Sequence, residues 1–89
     1  MAYMLVRNKV RDFDVWKKVF DDELGAVRDA GLGVVHLWRS MEDPNEVFFL
    51  FSISDMNRAR AFTADPASAA AGVRAGVLEG EIKYVEDVA

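Results

Sequence analysis

The sequence predicts an α+β fold in which four antiparallel strands form one sheet and all helices cover one of its faces. Three observations lead to this prediction. The chain has 89 residues, which suits one small domain over residues 1–89. Its predicted elements follow the order strand, helix, strand, strand, two short helices, strand. The segment EVFFLFSIS, residues 46–54, is apolar on both faces of a strand, so both faces of the sheet need cover.

The first third of the chain reads as a strand followed by an amphipathic helix. Residues 2–10 are rich in β-formers and contain neither Gly nor Pro. Asp12 then caps a helix that ends at Gly31. Apolar side chains recur along this helix at steps of three or four, which predicts one apolar stripe facing the sheet. These side chains are Phe13, Trp16, Val19, Phe20, Leu24 and Val27.

A hairpin follows, with strands at residues 32–41 and 46–54 around a turn that contains Pro44 and Asn45. The turn permits two registers. A three-residue loop pairs Trp38 with Leu50 and His36 with Ser52, whereas a four-residue loop pairs Trp38 with Phe49 and His36 with Phe51.

We favour the three-residue loop because it gathers an almost purely apolar set on one face, suited to burial under helices. The other face then mixes large apolar and polar groups, as ligand pockets and subunit interfaces do. The first set is Val35, Leu37, Met41, Val47, Phe49, Phe51 and Ile53; the second is Val34, His36, Trp38, Ser40, Phe48, Leu50 and Ser52.

Two short helices and a strand complete the chain. Asp55 caps the first helix, and Asp65 with Pro66 starts the second, whose small side chains suit close packing and which ends at Gly76. Residues 80–88 form the last strand. Right-handed crossovers turn this order into a ferredoxin-like βαββαβ arrangement with one bare sheet face. Because an exposed apolar face promotes association, we expect a homodimer packed through the open sheet face.

Composition argues against several classes of function. The net charge is −4, without a basic stripe, so nucleic acid is not an expected partner. Without cysteine and with one histidine, the chain offers no thiol nucleophile and no metal site of Cys or His. The acidic group Asp21, Asp22 and Glu23 reads as a solvated helix face. No long apolar run suggests a membrane span, and the start does not resemble a signal peptide, so a cytoplasmic protein is expected.

With these elements in place, three stretches carry a family resemblance: RNKVRDFDVWKKVFD, RSMEDPNEVFFLF and DMNRARAFTADP. The chain resembles the dimeric α+β barrel superfamily, which includes antibiotic-biosynthesis monooxygenases and heme-degrading monooxygenases. The resemblance covers nearly the whole chain and is specific for fold and dimerisation, whereas the superfamily hosts several chemistries. It implies a site in the cavity between sheet and helices, or at its mouth.

The resemblance also bears on individual residues. Heme-degrading relatives use an Asn on the first strand, which Asn8 matches, together with a Trp and a His. The positions of that Trp and that His fall near Ser52 and Ala71 in this chain, so the axial histidine ligand is missing. No heme or other cofactor is therefore expected. The cofactor-free, quinone-forming relatives suggest instead polar and aromatic side chains around a polycyclic phenol, with oxygen as the oxidant. By strand alternation either Arg7 or Asn8 faces the open side, and the resemblance favours Asn8.

The candidate site residues support two hypotheses of different classes. One is a cofactor-independent, monooxygenase-like or isomerase-like enzyme acting on a small, flat, partly apolar molecule. The other is a non-catalytic dimeric module that binds a small ligand or serves assembly. In the first, His36 is a general base and Asn8 holds an oxyanion; in the second, His36 is an interface histidine. Proposed ligand contacts are Trp38, Phe48, Leu50, Ser52 and, from the rim, Arg39.

Overall fold

The computed structural model describes all residues from Met1 to Ala89 and contains four strands and four helices. All predicted elements are present, but the first helix is divided in two, the hairpin loop is longer and the last strand begins earlier. The strands are β1 (Ala2–Val10), β2 (Leu32–Arg39), β3 (Glu46–Ile53) and β4 (Val77–Glu86). The helices are α1 (Phe13–Asp22), α2 (Leu24–Asp29), α3 (Met56–Ala64) and α4 (Pro66–Arg74).

The four strands form one sheet in the order β2-β3-β1-β4, with every neighbouring pair antiparallel. The helices lie on one face of this sheet, so the predicted ferredoxin-like α+β fold is confirmed. The other face carries no helix and is called the open face below. No helix has the length and apolarity needed to span a membrane.

Helix ends lie where the sequence places capping residues. Asp12 Oδ1 accepts hydrogen bonds from two backbone N–H groups of α1, Asp55 Oδ1 from one of α3, and Asp65 Oδ1 from one of α4. These bonds satisfy N–H groups that a helix cannot pair internally. Gly31 and Gly76 follow α2 and α4 with φ angles of 76° and 74°, a region that glycine adopts without strain.

Glu23 divides the predicted first helix. Its backbone N–H bonds to the carbonyls of both Val19 and Phe20, and its φ and ψ are −88° and −3°. Gly25, a weak helix former, comes two positions later. The apolar stripe nevertheless continues across the break into α2, where Val27 is buried.

The core lies between β3 and α1. The β3 side chains Phe49 and Phe51 are buried, and Trp16 on α1 is only 2% exposed. Trp16 stacks on Phe20 with ring centroids 4.9 Å apart, and Phe20 meets Phe49 edge-on at 5.3 Å. Burying side chains of this size contributes about 1.5–3 kcal/mol each. This cluster therefore fixes α1 over the centre of the sheet.

The hairpin register differs from the predicted one by two residues. Trp38 pairs with Phe48 and His36 with Leu50. A shift of two residues preserves the side-chain alternation, so His36, Trp38, Phe48, Leu50 and Ser52 do share the open face, as predicted.

The shift arises in the loop between β2 and β3, which has its own hydrogen bonds and is attached to β1. Asp43 Oδ1 accepts from the N–H of Asn45, whose carbonyl accepts from the N–H of Val10 at 2.8 Å. Lys9 Nζ lies 2.7 Å from Asp43 Oδ2. The hydrogen bond from Lys9 holds the pKa of Asp43 below its ordinary value. These contacts favour a longer loop than the three-residue turn.

Two further assignments are wrong, one because of a bulge in β2 and one because of the longer loop. The register shifts between Val34 and His36, so Val34 pairs with Phe51 and leaves the open face. Met41 lies in the loop and is 98% exposed instead of buried.

The alternation of β1 is opposite to the prediction. Asn8 pairs with Val47, which is fully buried under the helices, whereas Arg7 pairs with Phe48 on the open face. Asn8 therefore lies on the helix side together with the buried apolar residues of β1, and its predicted place on the open face is wrong. On the open face, Arg7 Nε donates to Glu46 Oε2 at 2.7 Å, which raises the pKa of Arg7.

We predict that Gly31→Ala lowers the free energy of unfolding by about 1–2 kcal/mol or more, because an L-residue is strained at positive φ. In addition, a Cβ at this position would lie 2.6 Å from Ser54 Oγ. Urea unfolding of both proteins measures the difference. Gly25→Ala is the control: its Cβ meets nothing within 4 Å, so a gain of about 0.5–1 kcal/mol is expected. Equal stability of Gly31→Ala and wild type would contradict the assignment.

Candidate functional site

A cavity of about 500 Å³ lies between the sheet and the helices. Its walls come from β1, β3, β4 and all four helices, while β2 contributes no residue. The volume is in the range of small-molecule sites, about 300–1,000 Å³. The lining residues are Met4, Val6, Asn8, Trp16, Val19, Phe20, Glu23, Val27, Phe49, Phe51, Phe62, Thr63, Ser68, Ala69, Ala71, Gly72, Ala75, Val77, Gly80 and Ile82.

The two sides of the cavity differ in the size of their side chains. Trp16, Phe20 and Phe49 form an aromatic wall, and Ile82 of β4 adds an aliphatic edge. Opposite them, α4 contributes mainly alanine and glycine, and a Cβ added to Gly72 would meet nothing within 4 Å. The small side chains of α4 therefore do not fill the side of the helix that faces the cavity. They leave space beside the aromatic rings.

Asn8 supplies the central polar group. With the amide oriented by its hydrogen-bond partners, Oδ1 accepts from Trp16 Nε1 at 3.3 Å and Nδ2 donates to the Arg7 carbonyl at 3.1 Å. An amide nitrogen carries two hydrogens, so one N–H of Asn8 has no protein acceptor. Gly80 lies against this side chain, since a Cβ there would be 3.3 Å from the amide atom of Asn8 that is Nδ2 in this orientation.

The hydroxyl groups of the lining already have acceptors. Ser68 Oγ donates to the carbonyl of Phe62 at 2.6 Å, and Thr63 Oγ1 donates to that of Arg60 at 2.9 Å. The free N–H of Asn8 is therefore the neutral donor of the cavity that is available to a ligand.

Most of the predicted site residues lie elsewhere. His36 and Trp38 are on the open face with their rings stacked at 4.8 Å between centroids, and Trp38 is 46% exposed. Arg39 is at the end of β2, with its guanidinium 4.6 Å from the centroid of the Phe13 ring. Of the predicted set, the cavity contains only Asn8. The predicted pocket that joins His36 to Asn8 is wrong, because the sheet separates them; Phe48, Leu50 and Ser52 are likewise on the open face.

The cavity does not fit heme of the kind that relatives bind through histidine. Ala71, at the position where the resemblance places that ligand, lines the cavity with a methyl group. The one histidine is on the open face, and no three side chains of the His, Cys, Asp or Glu type come together as a metal site.

Two features of the site were not predicted from the sequence. Trp16 was assigned to the core alone, although its indole N–H also binds Asn8. Glu23 was assigned to a solvated surface, although it lines the cavity. Their spacing was a usable signal: seven residues are close to two helical turns, which places Glu23 on the stripe of Trp16.

Solved structures with the same fold give a comparison. A protein assigned to the antibiotic biosynthesis monooxygenases, from Bordetella bronchiseptica, superposes with a TM-score of 0.82 at 14% identity, covering 99% of this chain and 97% of that one. A mutant of SnoaB, a cofactor-independent oxygenase from Streptomyces nogalater, superposes with a TM-score of 0.78 at 16% identity, covering 99% of this chain and 93% of that one. An uncharacterized NIPSNAP domain protein from Burkholderia xenovorans superposes with a TM-score of 0.71 at 17% identity, covering 100% of this chain and 96% of that one.

The fold is that of the antibiotic biosynthesis monooxygenases. The predicted resemblance to the dimeric α+β barrel superfamily is thereby confirmed for the fold. No protein-family model matches the sequence, and no curated protein does. At these identities the likeness concerns the fold alone, which proteins of different function share.

We predict that naphthalene, a flat apolar probe, binds in the cavity. Gly72→Leu should fill part of the cavity, raise the melting temperature by a few degrees and weaken naphthalene binding at least tenfold. The added side chain occupies apolar space and also improves helix propensity. Emission of Trp16, measured in a Trp38→Phe background, reports the binding. Gly25→Leu is the matched control, because it gains helix propensity outside the cavity. Unchanged naphthalene affinity in Gly72→Leu would contradict this description of the cavity.

Proposed function

We propose that the protein is a cofactor-independent oxygenase that acts on a small, flat, largely apolar phenol held between the sheet and the helices. One observation carries the proposal: a ligand-sized cavity with an aromatic wall is lined by Asn8, whose second amide N–H has no hydrogen-bond acceptor in the protein. The fold shared with SnoaB, a cofactor-independent oxygenase, supports the reaction class.

The proposed reaction requires only dioxygen as oxidant. A phenol loses its proton, and the phenolate ring passes an electron to O₂. The two radicals join at a ring carbon, and loss of water from the resulting peroxide leaves a quinone. Overall, one phenol and one O₂ give one quinone and one H₂O. The ring loses four electrons, and O₂ gains them.

In this reaction Asn8 serves as the donor to the phenolate oxygen. Its free N–H meets the negative charge that develops there, and Trp16 holds the amide in position through its own N–H. Phe20 and Phe49 supply flat apolar surface for the ring system. The role proposed for Asn8 from the sequence is retained, whereas His36 is too far from this ligand, across the sheet, to act on it.

The position of Trp38 supports the enzyme over the non-catalytic module. A module without chemistry was expected to have its cavity filled by Trp38 and the phenylalanines. Instead Trp38 is outside the cavity, which retains open space beside Gly72.

We also propose that two copies associate through the open face. Phe48 and Leu50 lie at its centre with only sheet neighbours beside them, and Trp38 is nearly half exposed. Exposed apolar surface of this kind marks an interface. His36 is then an interface histidine, and the Arg7–Glu46 ion pair contributes a polar rim. The cytoplasmic location expected from the sequence stays a prediction.

The function is tested with 9-phenanthrol, a flat phenol whose oxidation to phenanthrenequinone is followed by absorbance and by oxygen consumption. We predict that the wild type accelerates the reaction over buffer and that Asn8→Ala lowers kcat about 10²–10³-fold, the effect of losing one oxyanion donor. His36→Ala is the control and should retain full turnover. A wild-type rate equal to that of buffer would refute the proposal.

The association is tested by light scattering on Leu50→Asp. We predict a dimer for the wild type and a monomer or aggregate for the variant, because a buried unpaired carboxylate is costly. Val15→Asp is the control: Val15 is exposed on α1, on the opposite side of the molecule, and its variant should remain a dimer. A monomeric wild type at micromolar concentration would contradict the proposed interface.

A further inference from the structure

The proposed reaction needs a base, and the cavity contains one ionisable side chain. Among its 20 lining residues only Glu23 has an acidic or basic side chain. His36, the base expected from the sequence, is on the open face.

The surroundings of Glu23 fix one of its oxygens and leave the other free. Arg74 Nη2, at the end of α4, donates to Glu23 Oε1 at 2.7 Å. Oε2 has no hydrogen-bond partner in the protein, and the side chain is 32% exposed. A carboxylate held through one oxygen is oriented yet retains an acceptor for a proton.

Glu23 also connects the cavity to solvent. A second cleft of about 410 Å³, between α2, α3 and the start of α4, shares Glu23, Phe62 and Ser68 with the cavity. The charged groups of that cleft are Asp29, Arg58 and Asp65. A proton accepted from the cavity side therefore has a route to water on the cleft side.

We propose that Glu23 is the general base of the cavity and that Arg74 positions it, an inference that rests on the proposed oxygenase function. The phenol O–H bond breaks, the proton bonds to Glu23 Oε2, and the electron pair stays on the phenolate oxygen. This step is a proton transfer without oxidation or reduction, and O₂ accepts electrons only afterwards. The carboxylic acid then returns its proton to water through the cleft.

The experiment separates proton transfer from oxygenation. In D₂O without oxygen, a 9-phenanthrol phenolate takes up a deuteron at C10, and a base removes the C10 proton to restore the phenolate. NMR follows this exchange, quinone absorbance in air follows oxidation, and quenching of Trp16 emission in the Trp38→Phe background gives the affinity. We expect Glu23→Gln to bind the probe within about twofold of wild type and to lose exchange and oxidation at least 100-fold.

Two further sets of variants distinguish chemistry from a structural ion pair. Asp22→Asn removes the same charge one residue away and should leave exchange and oxidation unchanged. Arg74→Met should slow exchange about tenfold, and Arg74→Lys should restore most of it. If Glu23→Gln does not fold, Glu23→Asp replaces it; the shorter carboxylate should slow exchange, whereas Asp22→Glu should not.

The outcomes separate the two proposals. Exchange in Glu23→Gln equal to wild type overturns the role of Glu23, as does the absence of exchange in a wild type that binds the probe. Wild-type exchange that depends on Glu23, without quinone formation in air, supports Glu23 as the base and refutes the oxygenase.

Discussion

Strand β3 has two apolar faces, and the rest of the structure depends on the need to cover both. On one face Phe49 and Phe51 lie beneath the aromatic rings of α1, and the ring contacts join that helix to the centre of the sheet. On the other face Phe48 has neighbours only within the sheet. The four helices of residues 1–89 all lie on the opposite face of the sheet. The same strand that organises the core therefore also creates the surface through which we propose that two copies meet.

The helical layer covers its face of the sheet unevenly, and the cavity results from this difference. Above β3 the large rings of Trp16 and Phe20 fill the space between helix and sheet. Above β1 and β4, α4 presents small side chains, and Gly72 has no close neighbour. Helix-forming alanines allow α4 to form without large apolar side chains. The half of the helical layer above β3 thus stabilises the fold, while the half above β1 and β4 leaves space for the cavity. Trp16 takes part in both, because its ring packs in the core and its indole N–H bonds to Asn8 in the cavity wall.

The sequence specified most of the fold because its signals were local. Capping aspartates, two glycines at helix ends and the apolar alternation of β3 each depend on adjacent residues, and each agrees with the structure. The hairpin register depended on side chains of the loop bonding to β1, a long-range contact that turn statistics do not contain. The face of Asn8 was missed because β1 carries apolar residues on both faces, Leu5 as well as Met4 and Val6, so alternation alone left two choices. The pocket prediction inherited that error and placed His36 beside a residue that lies across the sheet.

The fold leaves the chemistry undecided, since an oxygenase and an uncharacterized NIPSNAP domain protein share it with this chain. The proposed chemistry depends on the polar groups at the cavity, each placed by a different local rule. Strand alternation turns Asn8 toward the helices, the helical stripe brings Trp16 over it, and Glu23 follows two turns later where α1 ends. A donor fixed by an indole suits an oxygen that becomes negative, and a carboxylate fixed by an arginine suits the acceptance of a proton. This complementarity favours deprotonation of an apolar phenol over simple storage of a ligand.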